Sequence, residues 1–433
     1  MRCLGWQRLS TTLVSPSPTA AGYSTETELG GRYARSAALF ERASAVIPGG
    51  IHLSGKPLVD PLTTPMYFER GQGARVWDVA GNEYVDYLMA FGAVFLGYAN
   101  EEVDRAAFAQ AQRGALLSLN HPLHLTFIET LLPLFPGAEM GVFFRTGSEA
   151  TTAALRIARR STGRRRVARC GYHGWHDWCL PLERFVPDGL AEQVLEFDAN
   201  QPATLAALFD RHPGEIAAVI LAPEMVLPHD AAVFNQLATS TRAAGALFVM
   251  DEVKTGLRIA PNSISERVGI VPDLITVSKA LGNGWPVAAV LGRREVMQVA
   301  AGMHYSGTFH GDTAAMAAAL TTIDLIRRLD VQAHVFRLGQ LLIDGLNAAA
   351  REAGVRATAF GEPLPPMPFF RFVEPDPERN AALTRVFYRE MLARGILMHP
   401  RHLWFLSAAH TADDIERTLE AAHVALRRAA SVG

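Results

Sequence analysis

The chain has 433 residues, enough for two or three domains. Hydrophobic residues make up 49% and charged residues 19%, a balance that excludes an intrinsically disordered chain. A net charge of −2 gives no electrostatic footprint for nucleic acid, and no apolar run reaches the ~18 residues needed to cross a bilayer.

Residues 1–30 read as a disordered tail. Their arginine, serine and threonine content, with no acid before Glu26, also fits a mitochondrial transit peptide; the lack of an apolar core argues against a secretory signal. Residues 36–47 carry a helical pattern that Pro48-Gly49-Gly50 ends. Residues 75–87 alternate around Ala80-Gly81-Asn82, which predicts a β-hairpin. From about 100 to 325, helical stretches alternate with short apolar runs at 141–144, 166–170, 217–221, 247–250, 274–277 and 287–291. Such strands, separated by helices, imply a mainly parallel sheet buried on both faces. After about 330 come a helix, strand-like runs at 369–373 and 396–399, and a last helix. Thr411, with Asp414 three positions on, opens that helix with a capping box. The expected architecture is α/β. Residues 86–330 form a large domain, and residues 31–85 and 331–433 together form a small α+β domain.

In open α/β sheets, ligands bind beyond the carboxyl ends of the strands. After 141–144 comes Arg145-Thr146-Gly147-Ser148-Glu149, the start of a helix. Thr146 and Glu149 match a capping box, Gly147 lets the backbone approach a ligand, and Ser148 offers a hydroxyl. Free N–H groups and the helix dipole favour a phosphate there, although an ordinary capped helix has the same pattern. After 166–170 comes Gly171-Tyr172-His173-Gly174-Trp175-His176-Asp177-Trp178. Aromatics flanked by glycine suit stacking on a flat heterocycle, with core packing the alternative for Trp175 and Trp178. His173 and His176 have no third ligand placed nearby, so no metal is expected. After 247–250 comes Asp251-Glu252-Val253-Lys254-Thr255-Gly256. A buried acid needs a cationic partner, either a protonated pyridine nitrogen or an arginine. After 274–277 comes Ser278-Lys279-Ala280-Leu281-Gly282. Partial desolvation there lowers a lysine's pKa and makes its amine nucleophilic. Residues 306–312, Ser-Gly-Thr-Phe-His-Gly-Asp, form a further polar loop before a helix.

Of 41 basic residues only Lys56, Lys254 and Lys279 are lysine. Arginine cannot form a Schiff base, so these are the only candidates for one. Cys3, Cys170 and Cys179 make neither a disulfide framework nor a metal-ligand spacing, and read as reduced thiols of a cytoplasmic protein.

These blocks, in this order, resemble class III (ornithine-aminotransferase-like) enzymes of fold type I that depend on pyridoxal 5′-phosphate (PLP). The nearest likeness is to the glutamate-1-semialdehyde aminomutase subgroup. The resemblance runs from Pro48-Gly49-Gly50 to Ser407-Ala408-Ala409-His410-Thr411, and the 28-residue step from Asp251 to Lys279 is its most specific mark. The resemblance implies PLP as cofactor, Lys279 as the Schiff-base lysine and Asp251 as partner of the pyridine nitrogen. It sets Tyr172 and Val253 against the two ring faces, His173 among the cofactor contacts, and Thr146, Gly147 and Ser148 at the phosphate. Thr308 matches a threonine that reaches the phosphate of the neighbouring subunit's cofactor, which implies a homodimer with shared active sites. The implied activity is amino-group transfer between a small-molecule amine or amino acid and a keto or aldehyde acceptor. An intramolecular aminomutase or an epimerase shares all these residues. A non-catalytic binding protein is disfavoured because both the lysine and the aspartate are present, and no G-x-G-x-x-G follows a strand to suggest a nicotinamide enzyme.

Three positions depart from the family pattern. Lys56 stands where the aminomutases carry an arginine for the substrate carboxylate. Ala222-Pro223-Glu224 stands where Glu-Pro is usual. Lys254 stands where Gln or Met lies near the cofactor's phenolic oxygen. Substrate contacts are expected from Lys56, Phe91, Trp175 and Glu224, with an aromatic or β-amino acid or an amino sugar as substrate.

Overall fold

The computed structural model describes residues 30–52, 65–179, 189–227, 229–260, 262–361 and 364–431. Almost all of the expected tail, and Lys56, lie outside the described residues. Three strands precede residue 100: β1 (Phe68–Gln72), β2 (Arg75–Asp78) and β3 (Glu83–Asp86). Seven follow in the middle of the chain: β4 (Met140–Phe144), β5 (Arg166–Cys170), β6 (Val194–Glu196), β7 (Ile216–Leu221), β8 (Leu247–Asp251), β9 (Leu274–Val277) and β10 (Ala288–Gly292). β11 (Ala357–Phe360), β12 (Phe369–Phe372) and β13 (Ile396–Leu397) come last.

The chain forms two compact units. One is Glu101–Gln332, and the other combines the described residues up to Asn100 with those from Ala333 onward. Residues 86–100, expected to open the large domain, belong instead to the second unit. Their backbone groups find partners there: Phe405 N donates to Tyr87 O and Ala408 N to Phe95 O, both at 2.8 Å. A backbone group's partner is a tertiary fact that apolar periodicity does not carry.

The central unit holds a seven-stranded sheet in the order β4-β10-β9-β8-β7-β5-β6. β6, β5, β7, β8 and β9 run parallel, and β10 runs antiparallel to both β9 and β4. Every residue of β7, β9 and β10 is buried, as expected of a sheet covered on both faces. The helix Gly147–Thr162 buries Ala150, Ala154, Leu155, Ile157 and Ala158, a stripe at helical spacing. These side chains share one core with Ala218, Ile220, Val249 and Val290 of the sheet. Gly163, in a left-handed conformation with φ of 69°, ends the helix. β6 escaped the sequence pattern because only Val194 of its three residues is buried.

In the second unit β1-β2-β3-β13 form a mixed sheet, and β11 pairs with β12. The predicted hairpin is β2–β3. Asp78 organises its turn, its carboxylate accepting from Ala80 N (2.9 Å), Asn82 N (2.8 Å) and Tyr84 Oη (2.9 Å). The expected Thr411–Asp414 capping box opens the helix Ala412–Ala430.

Just after β3, Met89, Ala90 and Phe91 adopt positive φ of 45°, 50° and 56°. Each left-handed non-glycine residue costs about 1–2 kcal/mol. Buried Asp86 holds this turn: its carboxylate accepts from Leu88 N at 2.6 Å and from Tyr98 Oη at 2.7 Å. The turn presents Phe91 edge-on to His402, with ring centroids 5.1 Å apart. Asp86→Ala leaves one buried and one half-buried donor without their acceptor and is expected to cost about 3 kcal/mol. Equilibrium urea denaturation measures this, and an unchanged midpoint would show that another group holds the turn.

Candidate active site

In the central unit the adjacent strands β9, β8, β7 and β5 are parallel, so the residues that follow them share one sheet edge. β4, reversed twice through β10, ends on that edge too. Lys279, Asp251, Glu224, Tyr172, His173 and the Thr146 turn are thereby gathered there.

Asp251 closes β8 and is 4% exposed. Burial alone would push its carboxyl up. Against this, His173 Nδ1 donates to Oδ2 at 2.7 Å, while Thr276 Oγ1 (2.9 Å) and Val253 N (3.2 Å) donate to Oδ1. These bonds hold it below the usual carboxylate range, so the buried group is ionised at neutral pH. None of these protein partners is an arginine. His173 is fully buried and stacks on Trp178, with ring centroids 6.0 Å apart at 19°. Its Nε2 has no hydrogen-bond partner among the described residues. Core packing is therefore the role of Trp178, whereas Trp175 is 70% exposed.

Lys279 follows β9 with φ of 51°, in the left-handed region. A non-glycine residue is held there only when its surroundings enforce it. Burial, then the nearby Lys254 charge, lower its amine to about 7. Arg258 adds to this, and Glu224 and Asp251 act against it. About half of such an amine is neutral at pH 7, which is the nucleophilic form.

The helix start is built for close approach. A Cβ on Gly147 would sit 2.9 Å from Val253 Cγ1, so only glycine lets the turn rest on Val253. Gly174, at φ of 117°, crosses Ser148 just as closely. Thr146 caps the helix, and Glu149 Oε2 accepts in return from Thr146 N at 2.9 Å. Glu149 also binds His310 Nε2 at 3.2 Å, and Arg145 pairs with Asp312. The 306–312 loop is thus tied to this turn at its base, while Thr308 is exposed.

Two of the departures from the family pattern turn out to be partners, because Lys254 Nζ forms an ion pair with Glu224 Oε1. The Lys254 ammonium also lies 5.8 Å from the centroid of the Tyr172 ring, and Tyr172 is 48% exposed. Phe91 belongs to the other unit. Two buried charged residues were missed by the sequence reading. Glu252 accepts from Ser263 Oγ and Ser265 Oγ, both at 2.6 Å, and from Ile264 N at 2.9 Å. Arg258 is fully buried in the run Gly256-Leu257-Arg258-Ile259-Ala260, and a charge inside such a run was its only cue. Among the described residues, no group of three or more His, Cys, Asp and Glu could hold a metal ion.

The arrangement suits one flat ligand. It offers a buried carboxylate for a protonated ring nitrogen, a tyrosine face and Val253 for the ring, a capped helix start for a phosphate, and a neutral amine for an aldehyde.

Residues 59–359 match the family described as aminotransferase class-III. The chain is 33% identical over 402 residues to the 3-aminobutyryl-CoA aminotransferase of Cloacimonas acidaminovorans, covering 90% of this chain and 96% of that protein. It is 35% identical to the glutamate-1-semialdehyde 2,1-aminomutase of Chloroflexus aggregans, covering 90% and 97%. The FumI protein of Sphingopyxis sp. MTA144, solved in its PLP internal aldimine form, superimposes with a TM-score of 0.86 at 31% identity, covering 91% of this chain and 96% of that one. The chain belongs to the class-III aminotransferases. It has the type I fold of PLP-dependent transferases and is an enzyme that uses PLP for transamination, as the resemblance implied.

Proposed function

We propose that Lys279 both anchors the cofactor covalently and carries the proton of the reaction, while Asp251 sets the cofactor's charge. The observation that carries this is a buried amine, lowered to about 7, on the same sheet edge as a buried ionised carboxylate. When bound, PLP supplies an electron sink and a temporary carrier for the amino group, neither of which a side chain offers. Asp251 keeps the pyridine nitrogen protonated, and His173 keeps Asp251 oriented and ionised. Thr146, Gly147 and Ser148 hold the phosphate through hydroxyls and first-turn N–H groups. Tyr172 and Val253 confine the ring from its two faces. With PLP bound, Lys279 would be the base that takes up and passes on the proton lost from the substrate carbon. An amine lowered to about 7 is about half neutral at pH 7, and the neutral form is the one that can accept a proton.

The same proposal extends to assembly and location. Thr308, exposed on the 306–312 loop next to exposed Phe309, is read as a contact to the phosphate in a second subunit, giving a homodimer with shared sites. The enzyme is read as cytoplasmic. Cys170 and Cys179 are buried free thiols, and burial pushes Cys170 up to about 12, which suits inert cysteines in a reducing compartment. Among the described residues, no helix is long and apolar enough to cross a membrane.

Transfer between two substrates is favoured over intramolecular rearrangement. Ala222 lacks the carboxylate usual in the family, and Glu224 is committed to Lys254. Tyr172 and Trp175 leave apolar surface exposed for an aromatic or β-amino acid or an amino sugar.

Three measurements test these roles. Asp251→Asn should lower turnover by roughly 10³ while the fold survives, because the amide is nearly isosteric; near-wild-type rates would make Asp251 only structural. Mixed Lys279→Ala and Thr308→Ala subunits should give activity that departs from the average of the two, and an active monomer in sedimentation would refute the shared site. Incubation with glutamate-1-semialdehyde alone should yield little 5-aminolevulinate, whereas an amine with pyruvate or 2-oxoglutarate turns over. The reverse would establish the aminomutase.

A further inference from the structure

We propose that Lys254 and Glu224 are positioning residues, a buried pair of opposed charges that sets the protonation of Lys279 from outside the reacting atoms. This rests on the reading of Lys279 as the reacting amine.

Lys254 comes from the loop after β8 and Glu224 from the turn after the neighbouring β7. Their side chains are 15% and 5% exposed, so water screens their fields weakly. Buried ion pairs are poor sources of stability, and apolar replacements are often neutral or better. Glu224 does not behave as a structural anchor either. Its Oε2 is buried with no hydrogen-bond partner among the described residues, whereas Glu252 uses both oxygens to hold the chain at Ser263–Ser265. The pair also takes one of only three lysines in a chain whose other basic residues are all arginine. A lysine ammonium is a compact point charge, suited to a field effect more than to bidentate binding.

Asp251 and Thr276 are register partners on the adjacent parallel strands β8 and β9, so Lys254 and Lys279, each three residues further on, leave the same sheet edge, with Glu224 after the neighbouring β7 paired to Lys254. The charged groups that bear on Lys279 are Lys254, Glu224, Arg258 and Asp251. The Lys254 charge favours the neutral amine, and the Glu224 carboxylate favours the ammonium. The same carboxylate, together with Asp251 and Tyr172, keeps Lys254 protonated and above its ordinary value despite burial. The two members of the pair therefore push Lys279 in opposite directions, and the intact pair holds it between the extremes.

The three-lysine composition makes this measurable without turnover. Cofactor-free enzyme is acetylated with acetic anhydride across a pH series, and mass spectrometry reads each lysine's titration. Wild-type Lys279 should titrate near 7. Lys254→Gln should raise that value by about one unit or more, and Glu224→Gln should lower it by a smaller amount. The double variant should fall between the two single variants. In loaded enzyme, the pH profile of the half-reaction should move in the same directions. Lys254→Met provides the substitution if the glutamine variant does not fold. Lys279 unmoved when Lys254 is neutralised, or both single variants moving it the same way, overturns the proposal. Borohydride reduction of loaded enzyme separates the two levels. A cofactor label on Lys56 or Lys254 defeats the reading of Lys279 itself, while a label on Lys279 without opposed shifts defeats only the pair.

Discussion

A carboxylate kept ionised inside a protein constrains everything around it. Asp251 sits at the end of a fully packed strand, where an unpaired charge would cost several kcal/mol. Its bonds come from three places. Thr276 is its register partner on β9, Val253 N comes from the backbone turning back after the strand, and His173 comes from the loop after β5. Two of these three depend on parallel strands: β9 directly beside β8, and β5 on the far side of β7. The order β9-β8-β7-β5 is therefore a condition for the charge, beyond being a way to build a core.

The constraint propagates outward through His173. Its ring lies on Trp178, and its carbonyl accepts from Thr151 Oγ1 at 2.7 Å. The Trp178 indole donates to Thr152 Oγ1 at 2.8 Å, and that hydroxyl also meets His176 Nδ1 at 2.8 Å. Thr151 and Thr152 belong to the helix Gly147–Thr162, whose first turn is the capped, anion-favouring end. One chain of contacts thus links the buried charge at one end of the site to the phosphate-type turn at the other. Glycines 147 and 174 close the remaining gap, because each lies where a methyl group would collide with Val253 or Ser148.

Much of this was legible in the sequence because it depends on local rules. Runs of four or five residues gave six of the seven central strands, and the Thr-x-x-Glu and Thr-x-x-Asp spacings gave two capping boxes that both form. What stayed hidden depends on which segments meet. The three-residue β6 shows too little burial to leave a pattern. Residues 86–100 join the second unit through backbone bonds that have no sequence signature. Trp175 and Trp178 were indistinguishable until the fold turned one outward and the other inward. Lys254 and Glu224 each stood out as departures, yet only the adjacency of β7 and β8 makes them one feature. The left-handed turn at 89–91 carries no glycine before Gly92 to betray it.

The loop after β5 has a division of labour along its length. His173 and Trp178 face inward and are committed to the carboxylate and the core, while Tyr172 and Trp175 show large parts of their rings to the outside. Inheritance can act on these two faces separately. The inner pair tolerates little change, because any loss there exposes a buried charge to an unfavourable medium. Of the outer pair, Trp175, 70% exposed, can be exchanged for larger, smaller or more polar residues with little effect on that charge. A lineage built on this scaffold can therefore alter its outer surface at Trp175 by small steps while the buried charge stays in place.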